Sequence, residues 1–309
     1  MGMPTLLDIA KRNASDLAAE LIDEAAKYAP EVRLGAARTI RGRSYRQLVR
    51  KSLPSFAFRN ANEGSAISKS EWENRLVETF VFNPQWECDK AVADSSEDGP
   101  DAYIADEADG IMQAALQHLG KVFYYGTNAT FGDAKAFPAL VQCHNADMVV
   151  DAGGTTDNVA TSVWAVAWGD RLTRWVWGEN GSLDLSDVET VRLTDASSNP
   201  YTGYRQTMTA YAGLQLGHSK CVGRIKKLTT DSGKGLTDAL IFSLLAKFPV
   251  AIVPDMLLMT MRSLEQLRAS RTATSPTGSP APYPEYIQGL KQIPIVVTES
   301  IVNTETLAL

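Results

Sequence analysis

The sequence predicts an α+β fold, and three observations carry that prediction. Residues 100–124 form one long amphipathic helix, 139–230 are β-rich, and 236–271 return to short helices around a buried strand. With 309 residues, 44% of them hydrophobic and 21% charged, the chain can bury a core without staples. Its net charge of -6 argues against a dedicated nucleic-acid binder, because neutralising phosphates needs excess Lys and Arg.

The elements follow in order. Residues 5–29 fit a helix: Thr5 can cap, Asp8 favours its start, Leu6, Ile9, Leu17, Leu21 and Tyr28 make a thin stripe, and Pro30 ends it. Residues 33–59 carry Arg33, Arg38, Arg41, Arg43, Arg46, Arg50, Lys51 and Arg59 and no acid. Residues 71–109 invert this, with twelve acids opposed only by Arg75 and Lys90. Between them Asn60 to Ser65 is rich in turn formers, and Leu76 to Phe82 alternates as a strand does. The expectation is a two-stranded excursion over 40–88, basic outward and acidic on its return. Such a ribbon is marginal alone and suits a chain that lies on another molecule; two solvated faces of an ordinary domain are the plainer alternative.

The long helix has Asp98 as candidate cap, Pro100 in its first turn and Gly126 as its stop. Ile104, Ala108, Ile111, Met112, Ala115, Leu116, Leu119, Val122 and Phe123 recur at three- and four-residue steps. In the β-rich stretch Trp164, Val166 and Trp168 share one strand face and Trp175 and Trp177 another. Further strands are expected at 187–193, 204–216 and 219–228. Residues 236–247 suit a helix, 250–253 a buried strand and 256–271 a second helix. Ser275 to Pro284, with four prolines, must be irregular, and 293–297 is a last strand.

Several strings then resemble a known family. They are Val122-Phe-Tyr-Tyr-Gly126-Thr-Asn128 with Phe131-Gly-Asp133, Ser162 to Gly169, Asn199 to Tyr204 continuing through Gly213-Leu214 to Ile225, Arg262 to Arg271, and Ile293 to Glu305. In this order they resemble a tailed-bacteriophage major capsid protein of the short-tailed-phage (epsilon15-type) family, with a Hong Kong 97-like fold. Pro254-Asp255-Met256 departs from the polar Asn-Arg pair commoner in relatives.

The resemblance implies an N-terminal arm at 1–39, an extended hairpin loop at 40–88, and a spine helix with peripheral domain at 89–150. It further implies a β-rich peripheral region at 151–230, an axial domain at 231–285 and a returning strand at 286–309. It implies a shell of pentamers and hexamers around double-stranded DNA, with portal, scaffolding and decoration or cement proteins as partners. Localisation would be the virion capsid, after folding in the host bacterial cytoplasm. Neither catalytic, cofactor nor metal residues are implied. If the hairpin overlies the next subunit, Arg41, Arg43, Arg46 and Arg50 are expected to meet acids such as Glu71, Glu73, Asp101 and Asp106 there.

Other chemistries fit less well. Three odd, widely spaced cysteines (Cys88, Cys143, Cys221) suit reduced thiols. Cys143-His144 with His218 and Cys221 could supply zinc ligands, but strand neighbours point to opposite faces. Gly217-His-Ser219-Lys-Cys221 approximates a nucleophile elbow but has Cys at its closing glycine, and Gly233-Lys234-Gly235 is no phosphate loop. Asp231-Ser-Gly233 and Asp151-Ala-Gly153 suit acidic turns. The tryptophans could stack on sugars but more often pair in a sheet core. The alternative function is nucleic-acid binding by the basic 33–59 segment with Tyr45, Phe56 and Phe58. Leu240 to Met261 is broken by Lys247, Pro249, Pro254 and Asp255, so no membrane span is expected, and Asp8, Lys11 and Arg12 argue against a signal peptide.

Overall fold

The computed structural model describes residues 27–181, 184–274, 286–288 and 291–309. The helix expected at 5–29 lies outside them apart from 27–29, which are not helical, and the proline-rich loop at 275–284 lies outside them entirely.

One strand organises the larger sheet. β11 (Pro200–Leu216) runs 17 residues and pairs antiparallel with β10 (Glu189–Thr194), β5 (Gln85–Asp89), β4 (Phe80–Phe82), β8 (Thr173–Trp177) and β9 (Asp184–Leu185). β1 (Ala37–Thr39) adds parallel to β8. Gln206, Met208, Ala210, Ala212 and Leu214 are buried at every second position of β11, as a pleated strand with one covered face requires. The second sheet has the order β16 (Ile295–Val297), β13 (Met256–Met259), β7 (Thr161–Val166), β12 (Val222–Leu228), β6 (Val149–Asp151). All six residues of β7 are buried, because that strand is central and covered on both faces.

The structure corrects several boundaries. Residues 250–253 are not a strand, and Val250 is exposed; the buried strand is β13. The helix expected from 256 therefore starts at Met261. Apolar Met256–Met259 reads equally well as helix or strand locally, and pairing to β7 and β16 decides it. The departing Asp255 has a place here: its carboxylate accepts the Trp168 N–H at 2.5 Å and pairs with Lys291. The strand expected at 293–297 is split by Pro294 into β15 (Lys291–Ile293), paired with β14 (Tyr286–Gln288), and β16. The excursion expected over 40–88 is shorter as a ribbon, since β4 and β5 pair with β11.

The short helices α1 (Glu31–Leu34) and α2 (Lys90–Ala93) precede the dominant helix, α3 (Pro100–Tyr125). Its N-cap is Gly99, not Asp98, with Pro100 at the first turn, and Gly126 at φ 49° stops it. Its buried residues gather in the second half. Phe123 packs against Trp168 and Trp175 at 5.6 and 5.4 Å, and Tyr124 against Trp164 at 6.2 Å. Beyond the sheets lie α4 (Leu140–Cys143), α5 (Asp238–Leu245) and α6 (Met261–Thr274).

The last two tyrosines of α3 anchor the two chain ends. Tyr124 Oη donates to Glu31 at 2.8 Å; Thr298 donates to the same carboxylate, as does Ser300 at 3.2 Å. Tyr125 Oη donates to Glu305 at 2.7 Å, and Glu305 also takes the Ser162 hydroxyl at 2.6 Å and pairs with Arg224 at 3.3 Å. Both glutamates are 1% exposed. Glu31 faces hydroxyls and no cation among the described residues, and burial pushes its pKa up.

Candidate inter-subunit surface

β2 (Ser44–Ser52) and β3 (Glu71–Glu78) form a two-stranded antiparallel sheet, in register from Ser44 opposite Glu78 to Arg50 opposite Trp72, after which the register shifts and Ser52 faces Glu71. Facing residues in such a pair project to the same side. One side carries Tyr45, Gln47 and Val49 with Val77, Arg75 and Glu73, and turns toward its own chain. Tyr45 donates to Gln215, and Val77 is buried. At the base, the Thr79 N–H and hydroxyl both donate to the Arg43 carbonyl, at 2.8 and 2.9 Å.

The other side carries Arg46, Leu48 and Arg50 with Leu76, Asn74 and Trp72. Leu48, Trp72 and Leu76 are each more than half exposed. Arg50 lies over the Trp72 ring at 4.4 Å, which holds its guanidinium beside the apolar stripe. The result is an exposed apolar stripe flanked by cations.

The expected contact residues divide. Among the described residues, Arg41 and Arg46 are exposed with no ion-pair partner, and Arg50 makes the ring contact to Trp72. Arg43 is committed within its own chain, to Glu179 at 3.2 Å and to the Tyr211 hydroxyl at 3.0 Å, which raises its pKa. Glu73 likewise turns inward to Lys51 at 3.2 Å and Arg75 at 3.4 Å, chiefly Lys51 lowering its pKa. Glu71 stands exposed at the start of β3, and Asp101 is exposed in the first turn of α3, with half-buried Asp106 further along. In that half of α3, Ile104, Ala108, Ile111 and Met112 are only partly covered, so the acids border apolar surface.

In the segment joining the strands, sequence reasoning named Phe56 and Phe58 only as candidate base-stacking residues and passed over Leu53 and Ile67. Phe56, Phe58 and Ile67 are 92, 109 and 100% exposed, and Leu53 is exposed too. The available signal was four large apolar side chains within a turn-rich stretch where polar residues are the rule.

The rival sites dissolve into structure. Cys88 and Cys221 are buried, and Cys221 accepts the Thr173 hydroxyl at 3.2 Å. The His144 ring bonds the Leu140 carbonyl at 2.8 Å, and His218 accepts the Lys220 N–H at 3.0 Å. No three His, Cys, Asp or Glu gather for a metal among the described residues. Asp231 ties two loops together, accepting from Thr155, Thr156 and Thr229, and those donors depress its pKa. Trp164 and Trp175 are wholly buried, which leaves them no sugar to stack on. Tyr45 is held by Gln215 and lies under Arg38, so it is not free for a base. No helix among the described residues is long and apolar enough to cross a membrane.

A family model described as major capsid protein GP7 matches residues 36–307. The cryo-EM structure of bacteriophage Epsilon15 superimposes with a TM-score of 0.71 at 18% identity, covering 99% of this chain and 98% of that one. A chain of Mycobacterium phage Cain gives 0.47 at 13% identity, over 72% and 98% of the two chains. The capsid of Myoviridae phage XM1 gives 0.48 at 11%, over 70% and 98%. Comparison with curated protein sequences finds no match.

Proposed function

We propose, from the premise that this chain belongs to the major capsid protein GP7 family, that the outer face of its β2–β3 ribbon clasps an adjoining copy of itself during shell assembly. The protein is a phage major capsid protein, a structural subunit of the capsid, and has the Hong Kong 97-like fold expected from the sequence. The finer reading has copies meeting as pentamers and hexamers of an icosahedral head around double-stranded DNA, with portal, scaffolding and decoration proteins as further partners. Residues 1–39 act as arm, 40–78 as hairpin and α3 as spine, in a chain that folds in the host cytoplasm.

One observation carries the clasp: Leu48, Trp72 and Leu76 are exposed between Arg46 and Arg50 on a ribbon that two strands alone stabilise poorly. A soluble chain gains by covering such a stripe, and a like copy offers the matching surface in the acidic first half of α3. The contact set is Arg41, Arg46 and Arg50 against the exposed Asp101 of the neighbour, while Arg43, Glu73 and Asp109 are engaged within their own chain. Extended arms of this kind multiply contacts per subunit, as obligate assemblies need.

The test is assembly of an Arg46→Glu, Arg50→Glu variant, followed by light scattering and negative-stain microscopy. Loss of particles with an unchanged unfolding midpoint of the unassembled subunit is the expected result. Wild-type yields of shells would sink the clasp. Tight, salt-sensitive DNA binding by the unassembled subunit, lost in the same variant, would favour the nucleic-acid reading of 33–59 instead.

A further inference from the structure

We infer that a hollow between β6, β12 and the end of α4 is a binding site for a small phosphate-bearing molecule, held by Lys226 and Arg224, with His144 taking up a proton as the anion enters. The inference stands apart from the clasp, which lies on a different sheet.

The hollow measures about 360 Å3, and its lining includes His144, Val149, Asp151, Arg224, Lys226 and Leu309. A volume of that size suits a small ligand. Arg224 and Lys226 are two positions apart on β12 and so project to the same face of the sheet, beside Val149 and Asp151 of β6.

The charges there do not cancel. Arg224 is 1% exposed; its Nη2 pairs with Glu305 at 3.3 Å, its Nη1 donates to the Leu309 carbonyl at 2.9 Å and its Nε to Ser162 at 3.0 Å, which uses three of a guanidinium's five N–H groups. Asp151, the acid of the lining, stands opposite Lys226 in register but pairs with Lys227 at 2.8 Å. A bulge makes that possible: Lys227 has φ 58°, and the register of β12 against β7 shifts there. In a regular strand Lys227 would project to the face away from Lys226. Strain at a residue that is not glycine thus leaves the Lys226 ammonium without a counter-charge among the described residues.

His144 supplies the third contact. Its Nδ1 lies 2.8 Å from the Leu140 carbonyl, which can only accept, so Nδ1 carries the hydrogen and Nε2 has a lone pair in the neutral ring. Burial, with Arg224 and Lys226 adding like charge, holds its pKa below the usual histidine range. From β7 the ring meets Trp164, which does not titrate; Asp151 of β6 is taken by Lys227, and Glu305 by Arg224. An oxyanion among these groups offsets the repulsion, so Nε2 can gain a proton and donate to it. Binding therefore tightens as pH falls. A free or monoester phosphate fits better than a nucleic-acid backbone, because the guanidinium is recessed and a chain of net charge -6 offers a duplex little from one uncompensated cation.

Sulfate is the probe, since it is tetrahedral and does not titrate near neutral pH. Isothermal titration of the unassembled subunit, run in two buffers of different ionisation enthalpy at about pH 6 and about pH 8, reads affinity and proton uptake together. Saturable binding that is tighter at the lower pH, with proton uptake, is expected. Lys226→Ala should weaken it about tenfold, as loss of a charge-assisted hydrogen bond does, and Lys226→Arg should restore it. His144→Asn, which keeps a donor for the Leu140 carbonyl, should abolish the proton uptake and the pH dependence. Glycerol phosphate should displace sulfate, and duplex DNA should not. Absence of sulfate binding at millimolar concentration, or unchanged affinity in Lys226→Ala, overturns the site. Proton uptake that survives in His144→Asn overturns the role of His144, and displacement by duplex DNA overturns the assignment to a small phosphate.

Discussion

Replacing Glu305 by alanine removes the acceptor at the centre of a buried polar network, and the structure sets the scale of the loss. The Arg224 guanidinium, 1% exposed, would keep the Ser162 hydroxyl at 3.0 Å and the Leu309 carbonyl at 2.9 Å but lose its counter-charge. The hydroxyls of Tyr125 and Ser162 would lose their acceptor as well. Leaving one buried partner of an ion pair unmatched costs about 3–5 kcal/mol. At roughly 2–4 °C per kcal/mol for a chain of this class, Tm should fall by about 6–20 °C. Removing both charges, as in Arg224→Met with Glu305→Leu, still orphans the two hydroxyls, at about 1–3 kcal/mol each, but leaves no unmatched charge and should cost less than the single variant. The assay is urea and thermal unfolding of the unassembled subunit followed by tryptophan fluorescence. Trp164 is a local reporter, since Arg224 lies over its ring at 5.0 Å. A single variant that loses under about 1 kcal/mol, or that matches the double variant, would refute the idea that an unpaired buried cation dominates.

Four further outcomes are expected. Glu31 has its folded-state pKa raised by burial, so its contribution to stability is present at acid pH and lost as pH rises through the folded value. Glu31→Gln should therefore match wild type in Tm near pH 4 and exceed it at pH 8; a gap that widens toward acid would contradict this. Asp231 has a depressed folded-state pKa, so its contribution is present above the ordinary carboxylate range and lost as pH falls. Asp231→Asn should speed amide exchange in the loops at 152–157 and 229–235 at pH 7, with little change elsewhere. Gly120→Ala would place a Cβ 2.4 Å from Ser300 Oγ and 3.1 Å from both Glu31 Oε2 and the Ala29 Cβ, and is expected to cost about 1–3 kcal/mol by overpacking, read by urea unfolding. Shell assembly should weaken as ionic strength rises from low to physiological, because exposed arginine contacts are screened within about 8–10 Å, and assembly rates unaffected by salt would argue against charged contacts.

Much of the fold was legible because it is written in local periodicity. The steps of three and four along α3 continue unbroken for about five turns, and Pro100 and Gly126 mark its ends. The basic and acidic arms were visible in composition, and their pairing as β2 and β3 follows from the turn formers between them. Asp98 failed as a cap because Gly99, at φ 86°, occupies that position. Within the candidate surface, strand alternation put Arg46 and Arg50 on one face, and the structure leaves that face open. The same alternation could not say that Arg43 would find Glu179 and Tyr211, which lie 136 and 168 residues away.

Sequence alone thus determined the long helix, the central strands of the β-rich stretch, the charge inversion along the hairpin and the order of strings that resembles a capsid subunit. Tertiary structure decided that β4 and β5 leave the hairpin for β11, that Met256–Met259 is strand, and that Glu31 and Glu305 are buried against consecutive tyrosines. The physical reason is range. Periodicity and turn chemistry act over a few residues, while burial of a carboxylate or exposure of a phenylalanine depends on segments that reach it from the far ends of the chain, or from another copy.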